Sequence, residues 1–280
     1  ICNPQGGILD DLLVYRVNNG HFIVVANAAN IKKDFEWMSR FLTDGVDFSD
    51  MSGKISLIAL QGPDSEKILG EFLNIELEEI GYYRFKTFLW KDNSAIISRT
   101  GYTGSDGFEI FVRNDTVSDL WDEIMKNGEK YALRPVGLGA RDTLRIEASM
   151  PLYGLDLNEE NDPIQAGLSW SVGWDKKDFC GRSVLIEKRN KPPDKKLFCF
   201  EMKDNSIPRH GYAVLIKGVN SGFVTSGTMS PFLKKGIGMC YLKPEGVETG
   251  LNIEIDIRGR LHPGVIVKKP FYSAVKKDRR

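Results

Sequence analysis

Apolar and polar positions along this chain follow two rhythms, and they change near residue 190. LLVYRV (12–17) and HFIVVA (21–26) are β-branched runs on either side of NNG (18–20), the pattern of a β-hairpin. Ile31, Phe35, Met38 and Phe41/Leu42 then recur at helical spacing, with Gly45 beyond them. This predicts an amphipathic helix over 28–43. KISLIAL (54–60) reads as a short strand. QGPDSEKILGEFL reads as a helix with Pro63 at its first position. Strands are expected at YRFKTFLW (83–90), SAIISR (94–99) and FEIFV (108–112), and helices at 118–128, 137–149 and 178–189.

RNKPPDKK (189–196), a charge run holding two prolines, reads as a linker. Beyond it the helical period disappears. LFCFEM, AVLIK, GFVTS, GIGMCYL, NIEIDI and GVIVKK are short β-rich runs separated by Gly, Pro and Asn. They predict an all-β sandwich or barrel of six strands. The chain thus divides into an α+β part and a β module.

Charge changes the picture by exclusion. Lys plus Arg and Asp plus Glu both number 38 in the 280 residues, which argues against nucleic acid or an anionic membrane as the main partner. No apolar run approaches a membrane span. The four cysteines (Cys2, Cys180, Cys199, Cys240) form no CxxC pair and suit a reducing compartment. His21, His210 and His262 lie at no ligand spacing from one another or from a cysteine, so no metal site is expected. Cys180 at a predicted helix start is read as a packing residue rather than an activated thiol.

Three clusters remain. Asp10 and Asp11 stand directly before an apolar strand. Strand alternation would put Asp11, Leu13 and Tyr15 on one face and Asp10, Leu12 and Val14 on the other. RTGYTGSDGFEIFV (99–112) has Gly101, Gly104 and Gly107 three apart. A strand rather than a helix follows it, which rules out a dinucleotide loop. A glycine-rich hairpin is the plain reading. The functional one is a loop where a flat ligand lies against the backbone, beside Tyr102 and Glu109. In GLGARDTLRIEAS, Arg141 and Arg145 share a helix face, and a guanidinium at the edge of a buried helix calls for a defined anionic partner.

GGILDDLLVYRV, ALQGP, RTGYTGSDGFE, GLGARDTLRIEA, PLYGLDLNEENDP, GLSWSVGWDKKDFCG and TSGTMSPFLKKGIGMCYL occur in this order. Together they resemble the glycine cleavage T-protein family of tetrahydrofolate-dependent aminomethyltransferases, over essentially the whole chain. The KGCYxGQE-type signature of the related iron–sulfur assembly proteins is absent. The resemblance implies a cloverleaf of two α+β folate-binding domains, one incomplete, plus a C-terminal all-β barrel. The corresponding boundaries are 1–53, 54–190 and 197–280. An FDVSHMG-type stretch precedes GGILDD in the family and has no counterpart here, and the chain starts at Ile1 inside an element. A piece of a longer protein is therefore expected, with a second domain that the absent segment would complete.

The resemblance also implies residue roles. Asp11 would be the catalytic carboxylate and Glu109 the acceptor for the pterin edge of tetrahydrofolate. Arg141 would pair with a folate carboxylate or orient the acids. Tyr15, Tyr83, Tyr102 and Tyr272 would line the ligand. The implied partner is the lipoylated H-protein, and the implied compartment is the bacterial or archaeal cytoplasm, or the mitochondrial matrix in a eukaryote. Two alternatives remain: a folate-dependent demethylase of the same superfamily, and a folate-binding scaffold without turnover.

Overall fold

A computed structural model describes residues 1–272. The chain forms two compact units. One is made of Ile1–Asp34 and Arg145–Tyr272, the other of Phe35–Leu144.

In the first unit, β1 (Leu13–Arg16) and β2 (Phe22–Val25) pair antiparallel, with Tyr15 opposite Ile23. This is the hairpin expected from LLVYRV and HFIVVA. A single 3-10 turn, Ala28–Asn30, leads into α1 (Ile31–Ser39). The helix stops short of the expected residue 43. Phe41 and Leu42 keep the helical spacing but are exposed, so burial no longer supports another turn.

The second unit holds a four-stranded antiparallel sheet in the order β3-β6-β5-β4, made of β3 (Ile55–Gln61), β4 (Phe85–Trp90), β5 (Asn93–Ser98) and β6 (Gly107–Arg113). Alternation along β6 is strict. Phe108, Ile110 and Val112 are buried, and Glu109 and Phe111 face the other way, half-buried. The buried face packs with Ile68 and Leu69 of α2 (Ser65–Gly70) and with Leu120 and Ile124 of α3 (Val117–Gly128). Asp119 in the first turn of α3 and Lys126 in its last suit the helix dipole.

The helix expected over 137–149 is α4 (Leu138–Glu147). The one expected over 178–189 is shorter, α5 (Arg182–Arg189), because Gly181 before it sits at φ +83°. Cys180 therefore does not open a helix, and burial pushes its thiol up. The last six strands are β7 (Lys196–Met202), β8 (Ala213–Ile216), β9 (Val219–Ser230), β10 (Lys235–Leu242), β11 (Asn252–Ile257) and β12 (Arg260–Val267). They close into an antiparallel barrel in the order β10-β7-β12-β11-β8-β9. Phe200, Val214, Val224, Cys240, Ile255 and Ile266 fill it. The fold is α+β with a C-terminal β-barrel, as the sequence pattern implies.

Residues 148–181 contain little regular structure, so side chains must satisfy the backbone there. Asp156 is the main anchor, with no exposed surface. It takes Arg145 Nη1 at 2.6 Å, the Leu152 N–H at 2.9 Å, Thr225 Oγ1 at 2.5 Å and Ser226 Oγ at 2.9 Å. One carboxylate thus joins the end of α4, the irregular segment and β9. Asp156→Ala would remove the carboxylate that faces the buried Arg145 guanidinium, and unfolding stability should drop by about 3–5 kcal/mol. Urea denaturation measures this. A pairwise change to Met at 145 and Leu at 156 should restore much of the loss, since it removes both charges.

Candidate functional site

The two acids of the DD pair sit in different environments. Gly7, just upstream, passes so close to the chain that a Cβ there would fall 1.9 Å from the Glu159 carbonyl oxygen. The Ile8 N–H then donates to Asn161 O at 2.9 Å. These contacts fix the segment before the acids. Asp10 is 1 % exposed. Its Oδ1 accepts from Asn27 Nδ2 and Asn30 Nδ2, both at 2.8 Å, and its Oδ2 accepts from the Asn27 N–H at 3.2 Å. Burial acts to raise the Asp10 pKa, but hydrogen bonds from Asp34, Asn27 and Asn30 outweigh it and hold the carboxyl below its usual range.

Asp11 is exposed. Its Oδ1 takes one bond, from Asn27 Nδ2 at 3.1 Å. Desolvation by the surrounding protein, together with the neighbouring Asp10 charge, raises its pKa to about 6. The alternation drawn through Asp11, Leu13 and Tyr15 does not apply, because β1 begins only at Leu13. The acids are separated instead by their partners. Asp10 is saturated with donors, and Asp11 keeps an oxygen open. Tyr15 is buried, at 6 % exposure. Asn27 and Asn30 were not singled out by the sequence reading. NAAN directly after a strand is their signal, since asparagine amides there can satisfy a nearby carboxylate.

In the second unit the glycine-rich loop joins β5 to β6. Much of its glycine content answers to the protein's own Gln61. A Cβ on Gly101 would lie 1.9 Å from Gln61 Oε1, and one on Gly107 would lie 2.6 Å from the same atom. Gln61 Nε2 donates to Thr100 O at 3.1 Å and Phe108 O at 3.2 Å, tying the loop's two ends together. Arg99 clamps it further, with Nη2 at 2.7 Å from Glu66 Oε2 and Nε at 2.9 Å from Asp106 Oδ1. The glycines expected to admit a ligand therefore admit a side chain at these two positions.

Glu109 projects from β6 on the face opposite the helices, and its Oε2 accepts from Thr100 Oγ1. Oε1 is the oxygen left for a ligand donor. Arg141 is exposed on α4, with its guanidinium carbon 5.0 Å from the centre of the Tyr102 ring, within cation–π range. The two residues picked out from separate motifs thus meet in one pair. Tyr83 is 49 % exposed, adopts φ +58° and meets Tyr82 edge-on at 4.5 Å. In the first unit, Tyr272 packs on Phe232 at 4.1 Å between ring centres, and its N–H donates to Glu147 O at 3.0 Å. Of the two arginines on one helix face, Arg145 holds the anionic partner and Arg141 is the one available to a ligand. Among the described residues no helix is long and apolar enough to cross a membrane.

Residues 1–176 match the family model of the GCVT N-terminal domain, and residues 195–273 match that of the glycine cleavage T-protein C-terminal barrel domain. An aminomethyltransferase of Geobacillus sp. (strain WCH70) is 43 % identical over 278 residues, which span 99 % of this chain and 76 % of that protein. An aminomethyltransferase of Thermoanaerobacter pseudethanolicus is 44 % identical over 282 residues, 98 % of this chain and 75 % of that one. The crystal structure of glycine cleavage system aminomethyltransferase T from Bartonella henselae superposes with a TM-score of 0.86 at 29 % identity, covering 97 % of this chain and 74 % of that one. The chain belongs to the glycine cleavage T-protein family.

Proposed function

We propose that this chain is a tetrahydrofolate-dependent aminomethyltransferase of glycine cleavage. The observation that carries this reading is its identity of 43 % to a named aminomethyltransferase over 99 % of its own length. The reaction moves a one-carbon unit from an aminomethyl-dihydrolipoyl arm, borne by the H-protein, to tetrahydrofolate. Ammonia leaves, and 5,10-methylenetetrahydrofolate and the reduced arm are released. Positive charge builds on the carbon as the amine departs.

Asp11 suits that step. A carboxylate partly stripped of water stabilises a developing cation and can orient the attacking nitrogen. Its open oxygen and its single side-chain donor, Asn27, leave it free to do so. Asp10, saturated by donors, is a support. Glu109 is assigned to the pterin edge, where a ring N–H and an amino group lie side by side and match a carboxylate acceptor. Arg141, held over Tyr102, is assigned to a folate carboxylate. Tyr15, Tyr83 and Tyr272 are assigned to packing against the ligand. The bacterial relatives point to a cytoplasmic setting, which suits the free thiols of Cys2, Cys180, Cys199 and Cys240.

The deciding experiment mixes the protein with tetrahydrofolate and aminomethylated H-protein and follows ammonia. Asp11→Asn should lose roughly a hundred- to thousandfold in turnover, the range for removing one electrostatic group at a reacting centre. Folate affinity should change little. Asp10→Asn should lose less turnover and cost stability. Folate binding without ammonia release in the unmodified protein would favour a non-catalytic scaffold.

Turnover should also fall as pH drops through about 6, where Asp11 gains its proton. A rate–pH profile with no acid limb near that value would argue against Asp11 acting as an ionised group.

Glu109→Gln keeps the shape but places a donor where an acceptor is needed. It should weaken reduced-folate binding by about 1.5–3 kcal/mol in calorimetric titration. Unchanged affinity would remove Glu109 from the pterin role.

A further inference from the structure

One buried acid has no task in this chemistry. Asp34 lies in the first turn of α1 and is 1 % exposed. Neither of its carboxylate oxygens has a hydrogen-bond partner among the described residues that could donate to it. Its polar neighbour is the buried Asp10, close enough for the two carboxyl groups to interact as hydrogen-bond partners once one of them is protonated. Two carboxyl groups can share a hydrogen bond only when one of them carries a proton.

The surrounding donors decide which one. Three reach Asp10: the Asn27 N–H and the side-chain amides of Asn27 and Asn30. None reaches Asp34. An ionised carboxylate at position 34 would lose its hydration with nothing in return. The proton therefore belongs on Asp34, which becomes a fourth donor to Asp10.

The network continues to the reacting acid. Asn27 Nδ2 touches Asp10 Oδ1 at 2.8 Å and the Asp11 backbone oxygen and Oδ1, each at 3.1 Å. Its two protons are divided among three acceptors, so their direction depends on where Asp10 sits and what charge it bears. We propose that Asp34 is a positioning residue: a buried, protonated carboxyl that anchors Asp10 and, through Asn27, sets the orientation of Asp11. This rests on the reading of Asp11 as the reacting carboxylate.

Another charge bears on Asp34. Lys33, from the same helix, donates to Leu9 O at 2.6 Å and to Tyr153 OH at 2.7 Å. Its charge favours an ionised Asp34, but burial, the hydrogen bond to Asp10 and the Asp10 charge outweigh it and raise the Asp34 pKa to about 7. The folded chain therefore keeps a proton that the unfolded chain releases near pH 4. The associated stability is complete below that pH and is lost as pH rises through about 7.

Infrared difference spectroscopy on the ligand-free protein tests the proton directly. A protonated-carboxyl band should be present on the acid side, vanish with a midpoint near pH 7, and be missing from Asp34→Asn. Turnover tests the role. Asp34→Leu, which abolishes the donor, should slow ammonia release by roughly ten- to hundredfold. Asp34→Asn, whose amide still donates to Asp10, should recover much of that loss and flatten the alkaline limb of the rate–pH profile. With Asp11→Asn as the background, so that the Asp11 carboxyl titrating near pH 6 is gone, no band titrating near pH 7, or one that survives Asp34→Asn, overturns the assignment of the proton. Equal losses in both variants, with the alkaline limb intact, overturn the positioning role. Failure of the wild type to release ammonia while the band titrates as expected counts instead against the aminomethyltransferase reading.

Discussion

A carboxylate removed from water must be surrounded by donors, and much of the first unit is arranged to meet that requirement. Asp156 gathers a guanidinium, a backbone N–H and two hydroxyls. Asp162 takes the N–H groups of Ile164 and Gln165, each at 2.9 Å, and Lys188 Nζ at 3.0 Å. Asp10 takes two asparagines. These clusters anchor a long stretch without regular structure through side chains instead of a ladder. They also account for adjacent acids at the entrance to an apolar strand. The inner acid is a structural node that secures the backbone, and the outer one is set at its edge with a capacity to spare.

This division of labour separates properties that one carboxylate could not combine. A fully satisfied acid is rigid and permanently ionised. A poorly satisfied one is responsive, because small changes in hydration or charge move its proton. With the first beside the second, one carboxyl is fixed in place and its neighbour is left free to respond. The second unit repeats the logic with different chemistry. Gln61 and Arg99 brace the glycine loop from within, and Glu109 stands at the start of β6 with one oxygen engaged.

Regular elements were legible in the sequence where burial sets the pattern. The six strands of the barrel, the strict alternation of β6 and the Leu120–Ile124 stripe of α3 follow directly from hydrophobic period. The end of α1 was not legible, because Phe41 and Leu42 continue the period without being buried. The shorter α5 follows from Gly181, whose left-handed conformation no apolar pattern announces. Family motifs nominate Asp11, Glu109 and Arg141 for the proposed roles. Strand alternation could not separate Asp10 from Asp11, because both precede the strand. Asn27, Asn30 and Asp34 lack any motif of their own; Asn27 and Asn30 act on Asp10 from 17 and 20 positions away, and Asp34 lies farther still along the chain. Arg141 and Arg145 look equivalent on a helical wheel, yet one is solvent-exposed and the other is 1 % exposed.

The division of the chain has a consequence for biosynthesis. The unit holding Asp10 and Asp11 is interrupted after Asp34 and resumes at Arg145, whereas Phe35–Leu144 runs without a break. A ribosome therefore delivers every strand of the β3–β6 sheet before it makes Asn161, whose carbonyl secures Ile8 beside the acids. Vectorial folding favours the uninterrupted unit. Until its later half emerges, the amino-terminal segment lacks the Asn161 and Tyr153 contacts that secure Ile8 and Lys33. Asp10 and Asp34 each ionise at ordinary pH while they remain in water. The shared proton is thus acquired as the pair is buried, so that closing this part of the fold is itself a proton-uptake event.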